Sequence, residues 1–467
     1  MSNQSQYSPG LQHRIDIGKQ IMAERAERIR LAGKWKFDTI AVHGLYSMKE
    51  ALENNQGSVI EPCYLSASQA YRDADEMEAA LAYMIPTWCY SRIANPTIYY
   101  LEWTLALMEG YQSGVETSCV ALASGMSAIR SAAEPFLIKR KKGVYEPMNF
   151  VSTCNLYGGT FQHWSVRKMQ DQDIEVRWVK DPTNLDEWAS KIDHNTRFMY
   201  GELPSNPGLA FFDIKAVADL AHSHRLPLIV DTTIATPVLL RPIQHGADIV
   251  IHSATKAMTA SGFGIAGAII SRKNIVSDIL TDEAKADFAV WLKLWPFRDN
   301  GPCLSPFNAL MTLSENRTLR SRIDLFCRNN MKVAEYLDSH PKIEKVDYLG
   351  LAHHPLHELA KKYMILVDSE DDYGELVNRY GYLMSFRVKG GREAARKMFD
   401  NLQLIWRATD LGRIKTVATI PAISTHSQQG EEARAMADIP PNQIRLSVGG
   451  EHPNDIISDL DQALAKI

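Results

Sequence analysis

The chain has 467 residues, 45% of them hydrophobic and 23% charged, which is ordinary for a globular protein large enough for two or more domains. The net charge of −4 gives no reason to expect a nucleic acid or an anionic membrane as partner. No run approaches about 18 uninterrupted apolar residues, so no transmembrane helix is expected.

Met1 to Asp16 lack the apolar core of a signal peptide. Residues 11–32 are rich in Ile, Met, Ala, Arg and Glu, which predicts an amphipathic helix, either solvated on the body or packed on another subunit. A helix is expected from Asp75 to Met84. Trp88 to Thr97 reads as a loop because Asn95-Pro96 initiates a turn, and helical text follows to Gly110.

From Thr117 to about Arg272 short apolar runs alternate with helical stretches. The runs are Cys119–Ala123, Phe150–Ser152, Phe198–Tyr200, Leu228–Val230, Ile249–Ile251 and Ala266–Ile270. Strands of this kind joined by helices imply a mostly parallel sheet covered on both faces. The first five end in Ser124, Cys154-Asn155, Glu202, Asp231 and His252-Ser253. A parallel sheet binds ligands at the carboxyl ends of its strands, so these residues should share one edge.

After about Ser305 the pattern changes to a smaller α+β domain. A single long helix is expected from Ser305 to about Ser339. Strand candidates are Ile343–Tyr348, Leu383–Val388, Gln403–Ile405 and Gln443–Val448, and helices are expected at Glu393–Leu402 and Pro453–Lys466. The acidic stretch Val367–Gly374 reads as a surface excursion. The organisation expected is an N-terminal arm and oligomerisation segment over 1–75, an α/β domain over 76–312 and an α+β domain over 313–467. The six cysteines (63, 89, 119, 154, 303 and 327) form no Cys-x-x-Cys pair, and Cys89, Cys119 and Cys154 sit in apolar or small-residue runs. A reducing cytoplasm, no disulfide framework and no metal site are expected.

Lys256 ends the segment that follows the strand at Ile249–Ile251. A lysine there is either a surface residue or a nucleophile at the rim of a sheet. Ser253-Ala-Thr-Lys256 matches Ser-x-x-Lys, but the Ser-Asp-Asn and Lys-Thr-Gly elements of penicillin-recognising enzymes are missing. Gly262-Phe-Gly-Ile-Ala-Gly267 matches a dinucleotide fingerprint, yet it precedes a strand rather than opening a helix, so a tight loop is expected. Ser124-Gly-Met126 follows a strand and opens a helix, a turn suited to phosphate. Asp231 closes a strand, where an acid serves as a metal ligand, a base or a counter-ion; no cluster with metal spacing accompanies it. In order, the chain offers a phosphate-type turn, a Tyr-Gly-Gly, an acid and a lysine, which is what pyridoxal phosphate needs.

Tyr90-Ser-Arg-Ile-Ala-Asn-Pro-Thr97, Ala123-Ser-Gly-Met-Ser-Ala128, Leu156-Tyr-Gly-Gly-Thr160, Pro204-Ser-Asn-Pro207, Val230-Asp-Thr-Thr-Ile-Ala-Thr-Pro237, His252-Ser-Ala-Thr-Lys256 and Arg445-Leu-Ser-Val-Gly-Gly-Glu451 follow in order. Over roughly residues 40–466 the chain therefore resembles the γ-family of pyridoxal-phosphate enzymes of cysteine and methionine metabolism. That family includes cystathionine γ-synthase, cystathionine γ-lyase, methionine γ-lyase and O-acetylhomoserine sulfhydrylase. The resemblance implies a fold-type I, aminotransferase-like α/β protein with pyridoxal 5'-phosphate carried on Lys256. It implies that Asp231 pairs with the pyridine nitrogen and Tyr157 stacks on the ring. Gly125, Met126, Ser253 and Thr255 would hold the phosphate. Tyr90 and Arg92 would reach the neighbouring subunit's phosphate, making a homo-oligomer with shared sites, usually a tetramer. Arg445 would clamp the substrate carboxylate, with Asn206 nearby, and Tyr157 or Tyr90 would act as acid–base at the leaving group.

Two positions depart from the family pattern. Thr232 stands where Asn is common. Asp410 stands where Ser or Asn often helps hold the substrate carboxylate, so either it points away or the substrate differs. Gly159 occupies a position where methionine γ-lyases typically carry cysteine, and Lys415-Thr416 with Ser424–Gln428 resembles O-acetylhomoserine sulfhydrylases. The expected reaction is γ-replacement on an activated homoserine. The alternatives are γ-elimination releasing 2-oxobutanoate, ammonia and a thiol, and a non-catalytic cofactor-binding protein.

Overall fold

The computed structural model describes residues 7–86, 88–139 and 146–467; the first six residues of the polar N-terminus lie outside them. Seven strands form the larger sheet: β1 (Thr117–Leu122), β2 (Asn149–Thr153), β3 (Glu175–Val179), β4 (Thr196–Glu202), β5 (Leu228–Asp231), β6 (Ile249–His252) and β7 (Gly267–Arg272), in the order β1-β7-β6-β5-β4-β2-β3. β7 runs antiparallel to both neighbours and the other pairings are parallel, so six strands point the same way. Side chains alternate between the faces with the strand period of two. Val151, Met199, Val230 and Val250 pack into one apolar core, whereas Phe150, Phe198, Ile229 and Ile249 pack into another on the opposite face. That double burial is why these strands read as unbroken apolar runs.

The five strand ends singled out above share the carboxyl edge of this sheet. The segment after Lys256 is a loop, as its glycines predict, with Phe263 and Ile265 exposed before β7 re-enters the sheet. β3 falls outside the runs read from the sequence. It is an edge strand, Glu175-Val-Arg-Trp-Val179, whose polar alternation breaks the apolar signal.

A second sheet has five strands: β8 (Ile343–Asp347), β9 (Leu383–Val388), β10 (Trp406–Arg407), β11 (Val417–Thr419) and β12 (Gln443–Ser447), ordered β10-β11-β12-β9-β8. The strand expected at Gln403–Ile405 is absent, because the Asp459 carboxylate takes the N–H groups of Gln403, Leu404 and Ile405. The helix expected as one piece from Ser305 is two, Pro306–Asn316 and Leu319–Ser339. At the break the Thr318 hydroxyl donates to the Glu315 carbonyl and accepts from Arg322, a local alternative to the helix ladder. The acidic stretch is not merely a surface excursion. Val367 and Ser369 are buried, and Asp368 accepts from Phe37 N and the Tyr111 hydroxyl.

The N-terminal helix, Pro9–Ala32, is capped by the Ser8 side chain. It buries Leu11, Ile15 and Gly18, and at Gly18 a β-carbon would meet Ile85 Cγ2 at 2.4 Å. Pro96–Glu109 begins where Asn95 Oδ1 accepts from Thr97 N and Ile98 N, which explains the Asn-Pro signal. Cys89, Cys119 and Cys154 are buried. Among the described residues no helix is long and apolar enough to cross a membrane.

Candidate active site

Lys256 lies just beyond β6, in a turn closed by Lys256 N to Ser253 O and Thr259 N to Lys256 O. The carboxyl ends of β1, β5 and β4 each bring one functional group to the same edge.

At the end of β1, Ser124 caps the helix Gly125–Ala133 by accepting from Ser127 N. No acceptor takes the N–H of Gly125 or Met126 among the described residues, so two donors face outward at a helix N-terminus. A β-carbon at Gly125 would lie 2.6 Å from Ser253 Cβ; glycine is what lets this turn approach Ser253. The Thr255 hydroxyl donates to Ala266 O and receives Ala266 N, both at 3.0 Å, so its proton already closes the loop.

At the end of β5, Asp231 is buried. Its Oδ1 accepts from Thr233 N at 3.0 Å and Thr233 Oγ1 at 2.7 Å, and no donor reaches Oδ2 among the described residues. Thr233 Oγ1 in turn accepts from Ser253 N, tying the acid to the lysine turn. Support for Asp231 thus comes from Thr233, while the buried Thr232 hydroxyl has no partner among the described residues. Behind the strand ends, His252 Nε2 and Glu109 Oε2 form a buried pair at 3.0 Å.

At the end of β4, Glu202, which the sequence marks only as a polar strand end, takes two backbone N–H groups. Its Oε2 accepts from Tyr157 N at 2.7 Å and its Oε1 from Asn206 N at 2.8 Å. Burial and the adjacent Asp231 charge raise this carboxyl well above the usual range, against the pull of the two N–H donors. Tyr157 is half-exposed at the start of the helix Gly158–Gln162. That helix packs on the Ser424–Gln428 segment, since a β-carbon at Gly158 would fall 1.9 Å from Thr425 O.

The smaller sheet contributes Arg445, buried on β12. It donates to Asn206 Oδ1 at 3.0 Å and to the carbonyls of Thr409 and Asp410 at 2.9 and 2.8 Å; Nε has no partner among the described residues. Asp410 does not point away. Its Oδ1 lies 2.8 Å from Lys256 Nζ and its Oδ2 accepts from Arg413 Nε at 2.5 Å. Burial lowers the Lys256 ammonium and Asp410 opposes that shift; Asp410 itself is held below its ordinary value, its burial being outweighed by Lys256 and Arg413. Lys415 turns outward, over the Trp406 ring. Tyr90 and Arg92 stand apart from this cluster: Arg92 lies over the Tyr90 ring and donates to Arg298 O.

The residues present fit pyridoxal phosphate. Two free N–H donors and the Ser253 hydroxyl suit its phosphate, Asp231 Oδ2 its ring nitrogen, Tyr157 its face and Lys256 its carbonyl carbon. Arg445 Nε remains for a carboxylate.

The sequence model of Cys/Met metabolism PLP-dependent enzymes matches residues 38–465. The L-methionine γ-lyase of Fusobacterium nucleatum subsp. polymorphum is 36% identical, over 93% of this chain and 99% of the relative. The O-acetyl-L-homoserine sulfhydrylase of Corynebacterium glutamicum is 31% identical, over 93% and 98%. A crystal structure of a Campylobacter jejuni protein assigned as an O-acetylhomoserine (thiol)-lyase, carrying a pyridoxyl-lysine monophosphate, superposes with a TM-score of 0.80. It is 32% identical, covering 92% of this chain and all of that one.

Proposed function

The chain belongs to the family of pyridoxal-phosphate-dependent enzymes of cysteine and methionine metabolism, and we propose that it catalyses γ-replacement on an O-acylated homoserine. It is an enzyme of γ-substitution or carbon–sulfur bond cleavage acting on an amino-acid substrate with pyridoxal 5'-phosphate. The observation that carries replacement is the bare flank of Tyr157. Gly159 puts no side chain against the ring, and Tyr157 is half-exposed, which leaves a path for a second substrate to reach Cγ. The methionine γ-lyase relatives favour a second reading, γ-elimination.

When bound, the cofactor serves as an electron sink that acidifies Cα and Cβ of the substrate. Lys256 would carry it and would move protons at the substrate's Cα and Cβ. Asp231 holds the ring nitrogen's proton through Oδ2. Tyr157 covers the ring and, with Tyr90 as the other candidate, supplies the proton for the leaving group. Gly125, Met126 and Ser253 hold the phosphate, with Thr255 shaping the turn. Arg445 and Asn206 orient the substrate carboxylate, which fixes the Cα–H bond relative to Lys256.

We also assign residues 1–75 as an arm that packs on another subunit, 76–312 as the cofactor-binding domain and 313–467 as the C-terminal domain. Met48, Val59 and Leu65 are largely exposed within that arm, an apolar surface that suits a homo-oligomer in which Tyr90 and Arg92 serve the neighbouring site. Free cysteines, one of them exposed at Cys303, suit the cytoplasm.

The test is a panel of O-acetylhomoserine with sulfide, O-succinylhomoserine, cystathionine and methionine, reading amino-acid products and 2-oxobutanoate in parallel. Homocysteine from the first pair is the expected result. 2-Oxobutanoate formed from methionine without added thiol, in preference to homocysteine, overturns replacement in favour of elimination.

A further inference from the structure

The Asp410 carboxylate is built into the site rather than loosely placed there. Arg413 grips its Oδ2 at 2.5 Å and also donates, from NH1, to the carbonyls of Thr255 and Thr259, each at 2.6 Å. These two carbonyls flank the Lys256 turn. Arg445 donates to the Asp410 main-chain carbonyl. The loop bearing Asp410 is therefore fastened both to the lysine turn and to the arginine expected to take the substrate carboxylate, and its other oxygen, Oδ1, accepts from Leu411 N at 2.9 Å and from Lys256 Nζ at 2.8 Å.

Cofactor lysines exchange one nitrogen for another at a single carbon. Both nitrogens must come within bonding reach of that carbon, so the entering nitrogen arrives beside Lys256 Nζ. An acceptor 2.8 Å from Nζ is within reach of either nitrogen. We propose that Asp410, held by Arg413, is an amine-positioning residue that binds whichever nitrogen is not bonded to the cofactor: the Lys256 ammonium in one half of the cycle and the α-ammonium of the entering substrate in the other. The inference rests on Lys256 being the cofactor lysine. It also resolves the conflict between Asp410 and a substrate carboxylate. Asp410 is neutralised by Lys256 and Arg413, and the carboxylate goes to Arg445 Nε, while like charge keeps it from the Asp410 side.

The charged and titratable groups facing the pair are Arg413 on the same loop, Arg445 on β12 and the Tyr382 hydroxyl just ahead of β9. Asp410 favours the Lys256 ammonium, whereas Arg413 and Arg445 disfavour it. Opposite signs make the proposal testable on the apoenzyme. Lys256 is labelled with an amine-acylating reagent across pH and followed by peptide mass spectrometry. Only the neutral amine reacts. Asp410→Asn and Asp410→Ser should lower the midpoint by about one unit, which is about tenfold faster labelling below it. Arg413→Gln should raise the midpoint instead. A merely structural loop would move both variants the same way, and that result, or an unmoved midpoint, overturns the proposal.

In the holoenzyme, n-propylamine, which has no carboxylate for Arg445 to hold, should lose about tenfold in affinity in Asp410→Asn. Equal propylamine affinity in wild type and Asp410→Asn also overturns it. Lys256→Ala separates the two levels: if that variant still forms the wild-type cofactor absorbance band, the assignment of the cofactor lysine fails, independently of Asp410.

Discussion

Glu202 and Asp231 close adjacent parallel strands directly opposite one another, and both carboxyls are buried. Asp231 is left with one oxygen for a ring nitrogen, whereas Glu202 uses both of its oxygens on the backbone of Tyr157 and Asn206. Glu202 thus fixes the chain that bears the stacking ring relative to the chain that partners Arg445. Glutamine can satisfy only one of those N–H groups, and its amide would present a donor to the other. Glu202→Gln should destabilise the apoenzyme by about 1–3 kcal/mol in urea unfolding and weaken cofactor binding in a spectroscopic titration. Unchanged values for both would show that the clamp has no energetic role.

Gly159 predicts a separable effect. A β-carbon there would sit 2.6 Å from Cε1 and 3.2 Å from Cζ of the Tyr157 ring. That ring is the outer end of a half-exposed side chain and can swing away, so Gly159→Cys should alter stability by no more than about 0.5 kcal/mol. The displaced ring no longer covers the cofactor or reaches the leaving group. We expect kcat/KM for replacement to fall by about tenfold or more, with a shifted cofactor absorbance. Steady-state kinetics beside an unfolding curve checks both halves; wild-type kinetics would mean that the ring does not sit where the chemistry needs it.

Much of this site was legible in the sequence because a parallel sheet places strand ends on one edge. Ser124, Glu202, Asp231 and His252-Ser253 each follow an apolar run, and doubly buried strands have no polar alternation to hide such runs. What escaped were pairings made across the fold. Lys256 and Asp410 are 154 residues apart, so the sequence does not reveal that Lys256 and Arg413 offset the Asp410 charge that would otherwise repel a substrate carboxylate. Thr232 departs from the family pattern, yet the hydroxyl that supports Asp231 belongs to Thr233. The Gln403–Ile405 run has strand-like composition, but its N–H groups go to Asp459, a partner that spacing does not reveal.

Gly125 governs the anion cradle. Its missing β-carbon would meet Ser253 Cβ at 2.6 Å and Ser253 Cα at 3.0 Å, and a backbone-bound neighbour cannot rotate aside. Gly125→Ala must therefore push the helix N-terminus away from the lysine turn, at an overpacking cost of about 1–3 kcal/mol. Cofactor affinity should drop by about tenfold or more, because the free N–H groups of Gly125 and Met126 no longer converge with the Ser253 hydroxyl. Titration of the apoenzyme with pyridoxal phosphate measures it, and inorganic phosphate as a competitor should lose potency in the same variant. Retention of wild-type affinity would place the phosphate elsewhere.

His426 ties the site to acid sensitivity. The ring is buried, with Nε2 3.2 Å from Leu156 O and Nδ1 2.8 Å from Thr425 Oγ1, one residue before Tyr157. Burial, reinforced by Arg445, pushes it down to about 4 from 6.5. The native state therefore holds His426 neutral, while the unfolded chain binds a proton below about pH 6.5. Its contribution to stability is complete above that pH, is lost as pH falls from about 6.5 towards 4, and changes no further below. The full loss is on the order of 3 kcal/mol. His426→Gln keeps a donor for Leu156 O and an acceptor for the Thr425 hydroxyl but has no proton to gain. Urea midpoints between pH 7.5 and 4.5 should decline less steeply in this variant than in the wild type. Parallel stability slopes in the two proteins would mean that His426 is not held neutral in the folded state.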